Sequence, residues 1–125
     1  MINIKIPTKQ LQKNLFPCLS IMSDTSYQWG PGIRDHYLIH YVISGKGTYE
    51  VNNETHFLSA EDAFLVYPNT EIIYRADAKT PWEYAWVGFT GSDAATILQA
   101  TDFSRKHPCI HAVPNGEEVK RQLLH

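Results

Sequence analysis

The chain has 125 residues, of which 43% are hydrophobic and 12% aromatic against only 19% charged, and it carries a net charge of −2. A domain of this size buries roughly two-thirds of its unfolded surface, enough for a core that needs neither disulfide nor structural metal. The charge excludes a free-standing nucleic-acid binder, whose affinity rests on neutralised phosphates, and no apolar run approaches the ~20 residues of a membrane helix. The expectation is a soluble, cytoplasmic single domain with no membrane contact.

Taken in chain order, residues 1–16 lack a signal-peptide core and read as an arm with little regular structure. Cys18 to Met22 is a short apolar run with strand character, and Trp29-Gly30-Pro31-Gly32 is turn chemistry. Tyr37 to Ser44 is β-branched and aromatic throughout, the signature of a strand covered on both faces. Gly45-Lys46-Gly47 turns or bulges it. Thr48 to Val51 and Thr55 to Leu58 flank Asn52-Asn53, two residues that tolerate the left-handed backbone of a tight hairpin. Ala63 to Tyr67 is stopped by Pro68 and Asn69, and Glu71 to Arg75 and Trp82 to Phe89 follow. Short strands spaced by about 8–12 residues indicate an all-β sandwich or barrel.

After Gly91 the pattern turns helical. Ser92 is an N-cap before Ala94 to Ala100, and a second helix starts at Asn115 with Val119, Leu123 and Leu124 on one face. That helix has no C-cap before His125, so the sequence reads as cut inside a longer protein. Cys18 and Cys109 are too far apart in sequence for a metal pair and too few for a disulfide framework; both read as reduced thiols.

Three segments carry a likeness to a known family. Arg34 to Gly47 (RDHYLIHYVISGKG) resembles the first hairpin of cupin-like domains, especially the N-terminal effector-binding domain of AraC-type transcription regulators. Asp62 to Pro68 (DAFLVYP) resembles that family's next strand. Pro81 to Gly91 (PWEYAWVGFTG) resembles its aromatic strand in regulators of sugar-utilisation operons. The resemblance implies a mainly β fold, a cupin-like barrel (double-stranded β-helix or jelly roll) over residues 17–91. An arm, residues 1–16, precedes it, and C-terminal helices in residues 92–125 lead to a truncated dimerisation region. It also implies a small-molecule sugar effector, a homodimer, and DNA contact only through a C-terminal helix-turn-helix domain absent from this sequence. In the arabinose-type relative the arm closes over bound sugar; here a lid and an ordinary first strand both stand as readings.

Many cupins are metalloenzymes, which makes a stand-alone cupin enzyme, such as a metal-dependent sugar isomerase or oxygenase, the alternative. The family's metal pattern is not matched. His36 and His40 lie four residues apart, about 13 Å along a strand, whereas metal bonds are near 2 Å. The expected glutamate falls near Leu38 and Ile39, and the third histidine near Ile72-Ile73. No nucleophile elbow and no phosphate loop is present. The expectation is no catalytic residue, no metal and no cofactor, hence no enzyme. A barrel whose pocket is filled by its own side chains is a third possibility.

A sugar site needs flat aromatics for C–H faces and a few polar groups for hydroxyls. Trp82, Tyr84 and Trp86 alternate on one face of a strand. Trp82, directly after Pro81, reads as core, while Trp86 matches the tryptophan that stacks on sugar in the relatives. Tyr84 replaces a sugar-bonding histidine of the arabinose-responsive relative, and Tyr74 matches a ligand-bonding tyrosine. Arg34 offers a rigid fork of donors that can pair adjacent hydroxyls. His40 is either a satisfied core group or a ligand group. The candidate ligand-binding set is therefore Trp86, Tyr74, Tyr84, Arg34 and His40.

Overall fold

The computed structural model describes residues 20–22, 28–89, 95, 98–99 and 101–113. Nine strands run through them: β1 (Ser20–Met22), β2 (Gln28–Ile33), β3 (Tyr37–Ser44), β4 (Lys46–Val51), β5 (Glu54–Ser59), β6 (Ala63–Val66), β7 (Glu71–Ala76), β8 (Glu83–Phe89) and β9 (Cys109–Ile110). They form a five-stranded sheet in the order β1-β8-β3-β6-β9 and a four-stranded sheet in the order β2-β7-β4-β5. Every strand pair is antiparallel. The fold is mainly β.

The central strand explains its own sequence. β3 lies between β8 and β6, with His40 opposite both Trp86 and Phe64. Its inner residues Leu38, His40 and Val42 and its outer residues Ile39 and Tyr41 are all buried. A strand covered on both faces must be apolar continuously, which is why no polar alternation breaks the run. On the facing sheet Tyr49 of β4 and Tyr74 of β7 enter the same core, and the Tyr49 hydroxyl donates to the Leu65 carbonyl across the interior.

The β4–β5 hairpin turns at Asn52 and Asn53, with φ of 54° and 63°. Both central residues are left-handed, the geometry whose twist matches the flanking strands. The segment from Trp29 to Gly32, expected as a turn, is instead part of β2. A register shift between Trp29 and Gly32 absorbs the irregular residues, and β2 is an edge strand, where a proline without an N–H is tolerated. Gly30 has φ +95°, and a Cβ there would run into the Ile72 carbonyl oxygen of β7. Only glycine fits.

A second departure concerns residues 92–125, expected to be helical. Ala95, Leu98 and Gln99 are helical, but Cys109 and Ile110 form a strand against β6. The pairing is enforced from Asp62. Its buried carboxylate accepts from the backbone N–H of Ser59 (2.8 Å) and of Ala112 (2.9 Å), and His111 Nδ1 lies 3.1 Å from it. Leu65 N–H donates to the Pro108 carbonyl and Val113 N–H to that of Glu61. The Cys109 thiol is half-buried and pushed up to about 12 by burial, so it is inert. The expected arm, the N-cap at Ser92, the helix from Asn115 and Cys18 lie outside the described residues.

Replacing Asp62 strips partners from two backbone donors, each costing about 1–3 kcal/mol when left unsatisfied. Asp62→Ala is expected to lower stability by roughly 2–4 kcal/mol in urea unfolding. A loss below about 0.5 kcal/mol, as at an ordinary surface position, contradicts the latch.

Candidate functional site

Between the two sheets lies a cavity of about 100 Å³ lined by Arg34, His36, Leu38, His40, Tyr74, Tyr84 and Trp86. The strand period places these side chains. Leu38 and His40 are two apart on β3, Tyr84 and Trp86 two apart on β8, and each pair shares the inner face. Tyr74 comes from β7 in the opposite sheet, and Arg34 and His36 from the connection into β3. All five candidate residues, Trp86, Tyr74, Tyr84, Arg34 and His40, therefore line one cavity. Trp82 does not. It is fully buried just before β8, stacked on Phe64 at 5.6 Å and edge-on to Tyr84 at 5.8 Å.

His40 is 2% exposed and enclosed by rings. Phe64 stacks on it at 4.4 Å, and Tyr84 and Tyr74 approach at 4.9 and 5.0 Å. Burial, reinforced by the Arg34 charge, pushes its imidazole down to about 3. The ring is neutral. Its Nδ1 is buried with no hydrogen-bond partner among the described residues, and the same is true of Arg34 Nε. Buried polar atoms are nearly always paired; of the three unpaired ones among the described residues these two line the cavity, and the third, Trp82 Nε1, does not.

Arg34 is held by a residue that sequence reasoning missed. Its guanidinium lies over the Trp29 ring, 4.0 Å from the centroid, while Nη2 donates to the Tyr74 hydroxyl at 3.1 Å. Trp29 stacks in turn on Tyr74 at 5.7 Å and 12°. Reading Trp29 to Gly32 as a turn hid this; the signal lay in a tryptophan five residues before an arginine, on a strand that the glycines and proline disguised. His36 and Leu38 also line the cavity without having been singled out as ligand groups. His36 Nδ1 lies 2.7 Å from the exposed Asp35 carboxylate.

Larger open depressions of about 470 and 360 Å³ flank the β4–β5 hairpin, and none of the candidate residues lines them. Their walls are largely exposed hairpin residues such as Asn52 and Glu54, with no unpaired buried side-chain atom. Among the described residues no group of three or more His, Cys, Asp or Glu is placed to hold a metal ion.

Residues 18–125 match the AraC-like ligand binding domain family. The chain belongs to that family. Its relatives include the Msm operon regulatory protein of Streptococcus mutans, 41% identical over 69% of this chain and 31% of that protein. The raffinose operon transcriptional regulatory protein RafR of Pediococcus pentosaceus is 42% identical over 70% of this chain and 32% of its own length. The lactose operon transcription activator of Staphylococcus xylosus is 27% identical over 82% of this chain and 37% of that protein. The AraC-like domain thus spans about a third of the length of these regulators. Among solved structures, an RmlC-like cupin from Shewanella frigidimarina superposes with a TM-score of 0.52 at 19% identity, over 64% of this chain and 70% of that one. Fatty-acid-bound ToxT from Vibrio cholerae superposes with a TM-score of 0.61 at 9% identity, over 90% and 46%. These likenesses fix the fold as cupin-like.

The neutral His40 has a consequence for stability. The unfolded chain binds a proton below about pH 6.5, the ordinary histidine value, whereas the folded ring stays neutral down to about 3. This contribution is therefore complete above pH 6.5 and is lost progressively as the pH falls from there towards 3, by about 1.4 kcal/mol per unit. Comparing urea unfolding near pH 7 and pH 5, His40→Leu is expected to lose about 2 kcal/mol less than the parent. Equal losses contradict a buried neutral ring.

Proposed function

We propose that this AraC-like domain is the ligand-sensing part of a transcription regulator whose effector is a sugar held between Trp86, Tyr74, Tyr84, Arg34 and His40. In this reading the domain senses and does not catalyse. The protein acts in the cytoplasm as a homodimer, and it controls a C-terminal helix-turn-helix domain that lies outside the sequence given. Binding works by shifting populations between conformations, to the extent that the sugar prefers one of them.

The observation that carries the reading is the pair of unpaired polar atoms, Arg34 Nε and His40 Nδ1, inside an aromatic-lined cavity. Guanidinium Nε–H can only donate, whereas a neutral imidazole offers a donor or an acceptor according to its tautomer. Hydroxyls both donate and accept, so a sugar satisfies both atoms; a purely apolar ligand leaves both bare. Trp86 and the two tyrosines supply flat surfaces for C–H faces. The names of the raffinose and lactose regulators point to the same ligand class. His40 has aromatic rings around it and no carboxylate bonded to it among the described residues, an arrangement suited to holding a ligand rather than moving protons.

Titration calorimetry with raffinose, lactose and a panel of mono- and disaccharides tests this. Binding by at least one sugar is expected, with Trp86→Ala weakening it about thirtyfold, the scale of a central aromatic anchor. Trp29→Ala, which removes the ring that holds the Arg34 fork and stacks on Tyr74, is expected to weaken it about three- to tenfold at unchanged secondary structure. Absence of binding by every sugar, or parent-like affinity in Trp86→Ala, overturns the proposal.

A further inference from the structure

We infer that the open cleft between the β4–β5 hairpin and the turn before β9 is a surface through which two copies of this chain meet, each setting its Glu54 on the other's Arg105 and Lys106. This rests on the homodimer in the reading above and is independent of the ligand. It adds which face the two copies share.

The cleft has two banks of opposite sign. One is the hairpin, with Asn52, Glu54 and His56; the other is the turn leading into β9, with Arg105 and Lys106. Glu54, Arg105 and Lys106 are all exposed. His56 Nε2 lies 3.9 Å from the Glu54 carboxylate, a loose contact that leaves the acid side chain 73% exposed. Within one molecule Glu54 forms no ion pair with Arg105 or Lys106. The opposite charges share a cleft without meeting.

One buried residue fixes both banks. Asn52 Nδ2 donates to the Tyr67 hydroxyl at 2.6 Å, and the Arg105 guanidinium lies over the Tyr67 ring, 4.5 Å from its centroid. Tyr67 itself is 1% exposed. Ser104 and His107 exchange backbone N–H···O bonds of 3.1 Å each, which closes the turn that carries Arg105 and Lys106. Charged groups held in place before contact lose less freedom on association.

The choice of partner follows from sign. Glu54 repels an acidic partner from one bank, and Arg105 with Lys106 repels a basic one from the other. What fits carries both signs in reverse order. A two-fold axis running along the cleft supplies that order from a second copy: half a turn about it sets the hairpin of each copy over the basic turn of the other. Such a contact is isologous, so every pair occurs twice. An axis across the cleft sets like banks together and is disfavoured. Exposed ion pairs are individually weak and screened by salt, so the contact selects its partner by charge more than by strength.

Sedimentation equilibrium on the full chain tests this. Self-association is expected, weakened at least about fivefold in Glu54→Lys and in the paired substitution Arg105→Glu with Lys106→Glu, because each lost contact is lost twice. Circular dichroism of both variants is expected to match the parent, since all three positions are exposed. Mixed in equal amounts, the two variants are expected to bind each other within about threefold of the parent Kd, a rescue that a purely structural role does not produce. Raising salt from about 0.1 M to about 1 M, which shortens the screening length from about 10 to about 3 Å, is expected to weaken the parent association. Parent-like association of either variant, a mixture no tighter than the variants alone, or association insensitive to salt overturns the cleft and leaves the homodimer reading intact. A chain that stays monomeric at every concentration overturns both.

Discussion

His40 sits where the two sheets meet, and its surroundings govern much else in the domain. Its ring is stacked on Phe64 of its own sheet and touched by Tyr74 of the other, so one imidazole spans the interior. Such a position demands a neutral ring, and neutrality demands that no carboxylate be nearby to draw a proton onto it. The aromatic excess of the sequence follows in part from this demand. Phe64, Tyr74 and Tyr84 pack around His40, and Trp82 packs behind them on Phe64 and Tyr84.

Arginine beside that ring is the complementary constraint. A guanidinium near a buried imidazole makes the neutral form still more favourable, and Trp29 holds the cation in place by its π face rather than by an acid. An acid there would have filled the donor fork. With an indole as partner, the fork is oriented yet Nε keeps its hydrogen available. The cavity thus has a fixed donor that no side chain among the described residues satisfies.

Much of this was legible in the chain. The unbroken apolar run Tyr37 to Ser44 specified the central strand to the residue, because burial on both faces leaves no room for polar alternation. The period of two in Tyr84 and Trp86 placed both rings on the inner face, and Trp82's position after Pro81 assigned it to the core. Two elements escaped for physical reasons. β2 contains Gly30 and Pro31, residues that signal turns everywhere except at a bulge on a sheet edge, and whether a segment lies at an edge is a property of the whole sheet. β9 is two residues long, too short for any period, and is held by Asp62, which lies 47 positions before Cys109. Long-range hydrogen bonds leave no local pattern.

That Asp62-held strand gives the fold an asymmetry. Phe64 lies against His40 on the inside of β6, while the same residue is the register partner of Cys109 on β9. One backbone ladder therefore separates the ring packed against His40 from Cys109, a spacing of about 5 Å. The side of the sheet that packs on the buried imidazole and the last described strand are next-door neighbours, stitched by the same row of amides.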